Sequence, residues 1–441
     1  MSSTIPHHQN THTLRSLAAM AIAGTVCLGS HAVAQEGGRP AFTMSVDWTQ
    51  EEEGILANHV QLTFAKDFAK AGEAYFSPDA QWIIFQAVPA PFGDEEPDPF
   101  YSMYIARLLY DADGNITGLD RPKVISPIGS ANTCGFFHPT IYGQVIFGTT
   151  IGVPSETTPP GFQRESSKYS WMFPSETEVV SRFCASLPAW RNQRGRIGEN
   201  RSHLQLNNET DHEGYDAECA YSPGGRYIVY ASMIDETNLC DLFIKDTVLK
   251  KTVPIVTAPG YDGGPFFSPD GQRICYRSDR KGDNVLKVYV AHLTFDEQGL
   301  PTGISDEYLL TEDPEVVNWA PFWHPSGKYL LYTSSAMGHF NYEAYLMDAA
   351  MPEDPDAEPT AYGTNKTRIT HATGFDGLPV FSPDGEWMMW TSQRTDNPKM
   401  KGKSQIWAAR FVLPLDGVDD AEAEAEVGPE APASQPDAPN N

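Results

Sequence analysis

The chain has 441 residues, with 31 Lys plus Arg against 58 Asp plus Glu and a formal net charge of −27. That balance excludes the broad basic surfaces that nucleic acid and anionic membranes need, and favours cations or basic partners. The 36 Gly, 35 Pro and 11% aromatic residues suit many short strands joined by tight turns.

Residues 1–34 read as a secretory signal peptide. His7, His8, His12 and Arg15 precede the apolar run Leu17 to Leu28, and Ala32-Val33-Ala34 offers a small-residue cleavage site. The run is too short to span a bilayer, and no other apolar stretch reaches that length. The mature chain is expected in the periplasm or outside the cell. Five cysteines follow the cleavage site: Cys134, Cys184, Cys219, Cys240 and Cys275. Their odd number and irregular spacing favour buried free thiols over a disulfide framework, and no C-x-x-C pair suggests zinc.

Residues 35–59 are polar and read as an arm. Val60 to Phe64 then alternates like a lone strand. From there one phrase recurs. Phe76-Ser77-Pro78-Asp79 precedes Trp82 to Phe85, and Phe267-Ser268-Pro269-Asp270-Gly271 precedes Arg273 to Arg277. Phe381-Ser382-Pro383-Asp384-Gly385 precedes Trp387 to Ser392. Variants centre on Pro139, Pro223 and Pro325, with His138 and His324 in place of Ser. Pro fixes the first corner of a turn, Asp bonds nearby backbone and Gly takes the left-handed position, so each copy predicts a β-hairpin. A third and a fourth strand follow most hairpins, for example Asp241 to Lys245 and Thr252 to Val256.

Six such units predict an all-β fold, a six-bladed β-propeller of four-stranded antiparallel blades over residues 60–413. The sixth unit has three strands, Pro379 to Ser382, Trp387 to Thr391 and Gln405 to Val412. Val60 to Phe64 is expected to supply its fourth and so close the ring. Residues 151–201 read as an insertion with a strand-like Tyr169 to Phe173 and a basic loop, Arg191 to Arg196. Residues 414–441, rich in Ala, Glu and Pro with no Lys or Arg, predict a disordered acidic tail.

The phrase F-S-P-D-G-x-x-I-x-F-x-S resembles the TolB-type propeller repeat, best in Phe267 to Ser278 and Phe381 to Ser392. The resemblance spans about residues 60 to 413 and implies the fold above. It also implies an exported protein that binds envelope proteins, as TolB does, though the extra N-terminal domain of TolB has no counterpart here. Propellers of this repeat type also precede prolyl oligopeptidase-type peptidase domains, but no G-x-S-x-G elbow occurs in the sequence. A further relative by repeat type, oligogalacturonate lyase, implies histidines and a divalent metal; no motif carries those ligands over.

Seven residues before the repeated prolines stand Ala71, Asn132, Asp216, Asp262, Asn318 and Asp376. A shared offset in a rotational repeat predicts a ring, here at one mouth of the channel. Asn132, Asp216, Asp262, Asn318 and Asp376 are therefore the candidate ligand-binding residues. Asp216, Asp262 and Asp376 are the carboxylates that would hold Ca²⁺ or Mg²⁺, or a cationic group of a partner. The same residues also serve as turn caps. His138 and His324 are expected to repeat the serine's turn bond, while His212, His339 and His371 fall on separate loops. Phe266, Phe322, Trp323, Trp387 and Trp390 are expected in the core between blades. Together these features favour an exported, non-catalytic scaffold for an envelope or secreted protein or a small ligand. A metal-dependent carbohydrate lyase or hydrolase with its site in the channel is the alternative.

Overall fold

The computed structural model describes residues 47–155, 174–184, 205–211, 214–233, 240–283, 285–350, 362–395 and 403–415. The leader, the loop at 191–196, the segment at 169–173, His212 and the tail beyond 415 lie outside the described residues. No helix among those described is long and apolar enough to cross a membrane.

Six antiparallel sheets follow one another along the chain, and together they form a six-bladed propeller. The innermost strands are Phe68–Phe76, Asn132–Phe137, Tyr215–Tyr221, Asp262–Phe267, Asn318–Trp323 and Asp376–Phe381. Each hairpin turns where the sequence places it. In blade four the Gly271 N–H donates to the Ser268 carbonyl at 2.8 Å and the Arg273 N–H to Ser268 Oγ at 3.0 Å. Ser268 Oγ donates in turn to Asp270, and Gly271 takes φ of 70°. In blade one Ala80 adopts the same left-handed conformation, φ 50°, without glycine's freedom.

His138 and His324 bond within their turns, but to nearer donors than serine, whose Oγ accepts from the N–H five residues on. His138 Nδ1 accepts from the Ile141 N–H at 3.0 Å, and His324 Nδ1 from the Ser326 N–H at 3.1 Å. Each imidazole also lies on an aromatic ring of the next blade, Tyr221 at 4.5 Å and Phe381 at 4.6 Å. A Cβ on Gly225 or Gly385 of that next blade's turn would run into the imidazole. Glycine is therefore fixed there twice, by φ and by contact.

The ring closes through the N-terminal segment. Leu56–Gln61 pairs antiparallel with Gln405–Phe411 as the outer strand of blade six, with Val60 opposite Ala408. The strand begins four residues before the expected Val60. Its continuation still bonds the blade, since the Leu62 N–H donates to the Ile406 carbonyl at 2.8 Å and the Ile406 N–H to Thr63 Oγ1 at 2.8 Å. Part of the arm is ordered as the short helix Trp48–Glu51, capped by Asp47. In blade two the third strand is Glu178–Phe183, inside the stretch read as an insertion. In blade one the fourth position is shared by Ile116–Leu119 and Lys123–Val124.

The core lies between blades, where apolar faces of adjacent sheets meet. Trp323, Trp387 and Trp390 are buried there. The five cysteines are free and buried.

Candidate functional site

The strand register sets the site. At one end of blades two to six a residue at or next to the start of the inner strand pairs across to the end of the second strand. Asn132 faces Thr149, Asp216 faces Ser232, Asp262 faces Ser278, Asn318 faces Ser334 and Asp376 faces Ser392. The five candidate residues thus occupy one equivalent row, and all are buried.

Four of them bond protein groups. Asp262 accepts from Arg280 at 3.0 Å, and Asp376 from Arg394 at 2.8 Å and from the Trp390 indole N–H at 3.1 Å. Asn132 donates to the Tyr101 and Ser130 carbonyls, and Asn318 to the Val316 carbonyl. Burial pushes Asp262 up to about 6, with Ser278 and Arg280 pulling it back. Both arginines follow their aspartate by 18 residues, in Ser278-Asp279-Arg280 and Ser392-Gln393-Arg394. Arginine is the counter-ion for two of the three carboxylates in the row, and none of the five residues lines the axial cavity. Millimolar Ca²⁺ is expected to leave the thermal midpoint unchanged. A midpoint that rises with the logarithm of Ca²⁺ concentration, and stops rising in Asp262→Asn, would show that a cation displaces arginine.

Two residues further along each inner strand the ladder breaks. Every inner strand carries a register shift between its start and its end. At that β-bulge stand Glu73, Cys134, Glu218, Gly264, Ala320 and Leu378, all left-handed with φ between 47° and 58°. The strain, about 1 kcal/mol for each non-glycine residue, re-aims the side chain toward the axis. All six line the axial cavity. Two residues beyond, Tyr75, Phe136, Phe266 and Phe322 converge: Phe266 lies 5.0 Å from Phe322, Tyr75 5.4 Å from Phe136 and 5.5 Å from Phe266. Phe266 and Phe322 are therefore on the axis rather than between blades. The space open to the centres of water-sized molecules above these rings is ≈ 20 Å³, the room of about one water.

The charges in this recess are unequal. Glu218 is buried and fully engaged. Its carboxylate accepts from the Tyr261 hydroxyl at 2.6 Å, from Arg277 at 3.0 Å and from the Gly264 N–H. Arg277 also donates to the Tyr261 hydroxyl at 2.9 Å and lies over the Trp319 ring. Gly263 and Gly264 are required by this packing, because a Cβ on either would strike Tyr261 or Arg277. Glu73 is partly exposed and accepts from the Tyr75 hydroxyl at a long 3.3 Å. Burial raises its carboxyl above the usual range, against the Cys134 thiol and the Arg277 charge, and Glu218 adds to the rise. Burial pushes the Cys134 thiol well up too, helped by both glutamates, so it is a thiol and not an activated nucleophile.

Sequence reasoning missed this recess because its six positions share a backbone conformation and no residue type. Alignment on the prolines at an offset of five lines the positions up, but only Gly264 betrays the left-handed turn. Histidines lie elsewhere: His138 and His324 under turns, His339 against Tyr342 at 3.1 Å, and His371 in blade six's approach, its backbone N–H donating to Glu52. Among the described residues no group of three or more His, Cys, Asp or Glu is placed to hold a metal ion.

No family model matches the chain. Among solved structures a putative TolB from Agrobacterium tumefaciens aligns at 14% identity and a TM-score of 0.45, over 78% of this chain and 91% of that one. The chain is similar to TolB. TolB from Acinetobacter baumannii aligns with a TM-score of 0.44 and 14% identity over 78% of this chain and 64% of that one. An oligogalacturonate lyase from Vibrio parahaemolyticus aligns with a TM-score of 0.42 and 13% identity over 80% and 93%. In sequence, 202 residues are 24% identical to the uncharacterized peptidase YuxL of Bacillus subtilis strain 168. That match covers 40% of this chain and 29% of the relative, so the chain spans less than a third of that relative's length. These likenesses are distant, and the strand pairing itself establishes the fold.

Proposed function

We propose that the chain is an exported, non-catalytic TolB-like propeller that binds a protein or small-ligand partner over the axial recess. The observation that carries this reading is the recess itself: a charged, histidine-free hollow floored by aromatic rings, with room for a contact and not for a sugar chain. Around it on the same side lie the connections between second and third strands. They present Phe92 at 89%, Val153 at 78% and Phe340 at 58% exposure, and large exposed apolar groups near a polar recess suit a docking rim. The export signal read in residues 1–34 favours binding in the cell envelope or outside.

Capture from an envelope extract tests the reading when rim and control variants are compared. Phe92→Ser with Phe340→Ser is expected to lose the proteins that the native chain retains. Val248→Ser, on an exposed turn at the far end of blade three, is expected to keep them. Equal capture by all three would refute rim docking. Release of unsaturated product from oligogalacturonate in the presence of Mn²⁺ would overturn the non-catalytic part.

A further inference from the structure

The two glutamates at the bulges differ in a way that names a ligand. Glu218 has its charge balanced by Arg277 and its oxygens filled by Tyr261, Arg277 and Gly264. Glu73 has no basic side chain bonded to it in the recess; Arg277, the cation that acts on it, is taken by Glu218. A carboxylate offers about four lone-pair directions, and the long Tyr75 bond and the Cys134 thiol fill few of them. It shares the cavity with Arg277, Glu218 and Cys134 and with the rings of Tyr75, Phe266 and Phe322. A carboxylate beside aromatic rings attracts cations from two directions, by charge and by the ring quadrupole.

We propose that Glu73 and the rings of Tyr75, Phe266 and Phe322 form a site for a single primary ammonium group, the tip of a lysine side chain or a free amino terminus. Size selects the class. An ammonium is close to a water in volume and fits where about one water does. A guanidinium is planar and larger than a water, and exceeds that space. A bare divalent ion would want several oxygen ligands, and Glu218 is already committed to Arg277. The site rests on the proposed docking over the recess, and gives that partner one defined anchor.

The proton competes with the ammonium for Glu73. The carboxyl binds its proton more tightly in the fold than in free solution, so the anionic form needed for binding is populated only as pH rises through the raised value. The alkylamine keeps its charge until about pH 10. Affinity should therefore increase as pH rises above the ordinary carboxyl value of 4.5.

Titration calorimetry of the full chain with n-butylammonium tests the site. One equivalent is expected to bind, with the pH trend above, while n-butanol gives no heat and butylguanidinium binds more weakly. Glu73→Gln is close to isosteric, should keep the thermal midpoint, and is expected to weaken butylammonium at least about tenfold, which is about 1.4 kcal/mol. Val248→Ser, on the exposed turn at the far end of blade three, is expected to bind as the native chain does. Equal affinity in the native chain and Glu73→Gln, or equal binding of n-butanol, would overturn the site. The docking reading fails separately: loss of butylammonium binding in Glu73→Gln with rim variants still capturing every partner supports the site and refutes the rim. Capture lost in the rim variants with no butylammonium heat on the native chain refutes the site alone.

Discussion

Arg394→Met is expected to destabilise the fold by ~3–5 kcal/mol at neutral pH, the cost of leaving buried carboxylates without their counter-ion. Arg394 is 1% exposed and joins two segments far apart in sequence. It donates to Glu52 of the N-terminal segment at 3.0 and 3.1 Å and to Asp376 of blade six at 2.8 Å. Its guanidinium lies over Trp48 at 4.4 Å and Trp390 at 4.8 Å, so methionine retains the packing and removes the charge. Glu52 also holds His59 at 2.7 Å and the His371 N–H at 2.8 Å.

The pH dependence separates a charge effect from a packing effect. Burial alone would raise Glu52, but the His59 bond and the Arg394 charge hold it below its ordinary 4.5. The native chain's gain from Glu52 is complete above that value and is lost as pH falls through the lower folded one. Without the guanidinium, burial prevails and the folded Glu52 prefers its proton. The deficit of Arg394→Met should therefore be full at neutral pH and shrink in acid. Denaturant melts of both chains at several pH values check this. A deficit that is constant with pH would mean that packing, not charge, holds the latch. Adding Glu52→Gln to Arg394→Met should recover part of the loss, because the orphaned charge is then removed.

Most of the fold was legible because turn chemistry is local. Pro383 and Gly385 announce a hairpin from their own backbone restrictions, and no distant contact alters that. The closing strand was legible by topology, since three strands at one end and one at the other leave a single way to avoid an edge; the start at Leu56 instead of Val60 came from pairing with Phe411. Glu178–Phe183 was missed because a long interval between Pro139 and Pro223 hid a regular third strand. The row of Asp and Asn is visible in sequence, but although Ser-x-Arg closes the second strand of blades four and six, only the fold brings each Arg onto its carboxylate. The recess was invisible for a different reason. A left-handed bulge at Glu73, Ala320 or Leu378 is imposed by the ladder on both sides of it, and the side chain placed there is free to vary.

Removal of residues 36–64 is expected to abolish the folded state of the remaining chain, or to lower its thermal midpoint by tens of degrees. Blade six would lose its outer strand, and Gln405–Phe411 would become an unpaired edge. Leu56 and Leu62, 3% and 4% exposed, would leave the cores they fill, at about 1.5–3 kcal/mol each. Glu52 would go with them, and Arg394 would keep Asp376 and the Ser392 hydroxyl. The sum, roughly 6–11 kcal/mol from the leucines and the broken ion pair, matches the whole stability of an ordinary domain. The exposed edge should also make the truncated chain associate with itself. A synthetic peptide of residues 47–64 supplied in trans should restore the midpoint by strand addition, with a dependence on peptide concentration. The same peptide carrying Glu52→Gln should restore less, because it brings the strand without the partner of Arg394. A truncated chain that melts within a few degrees of the native one would show that the propeller closes without this strand.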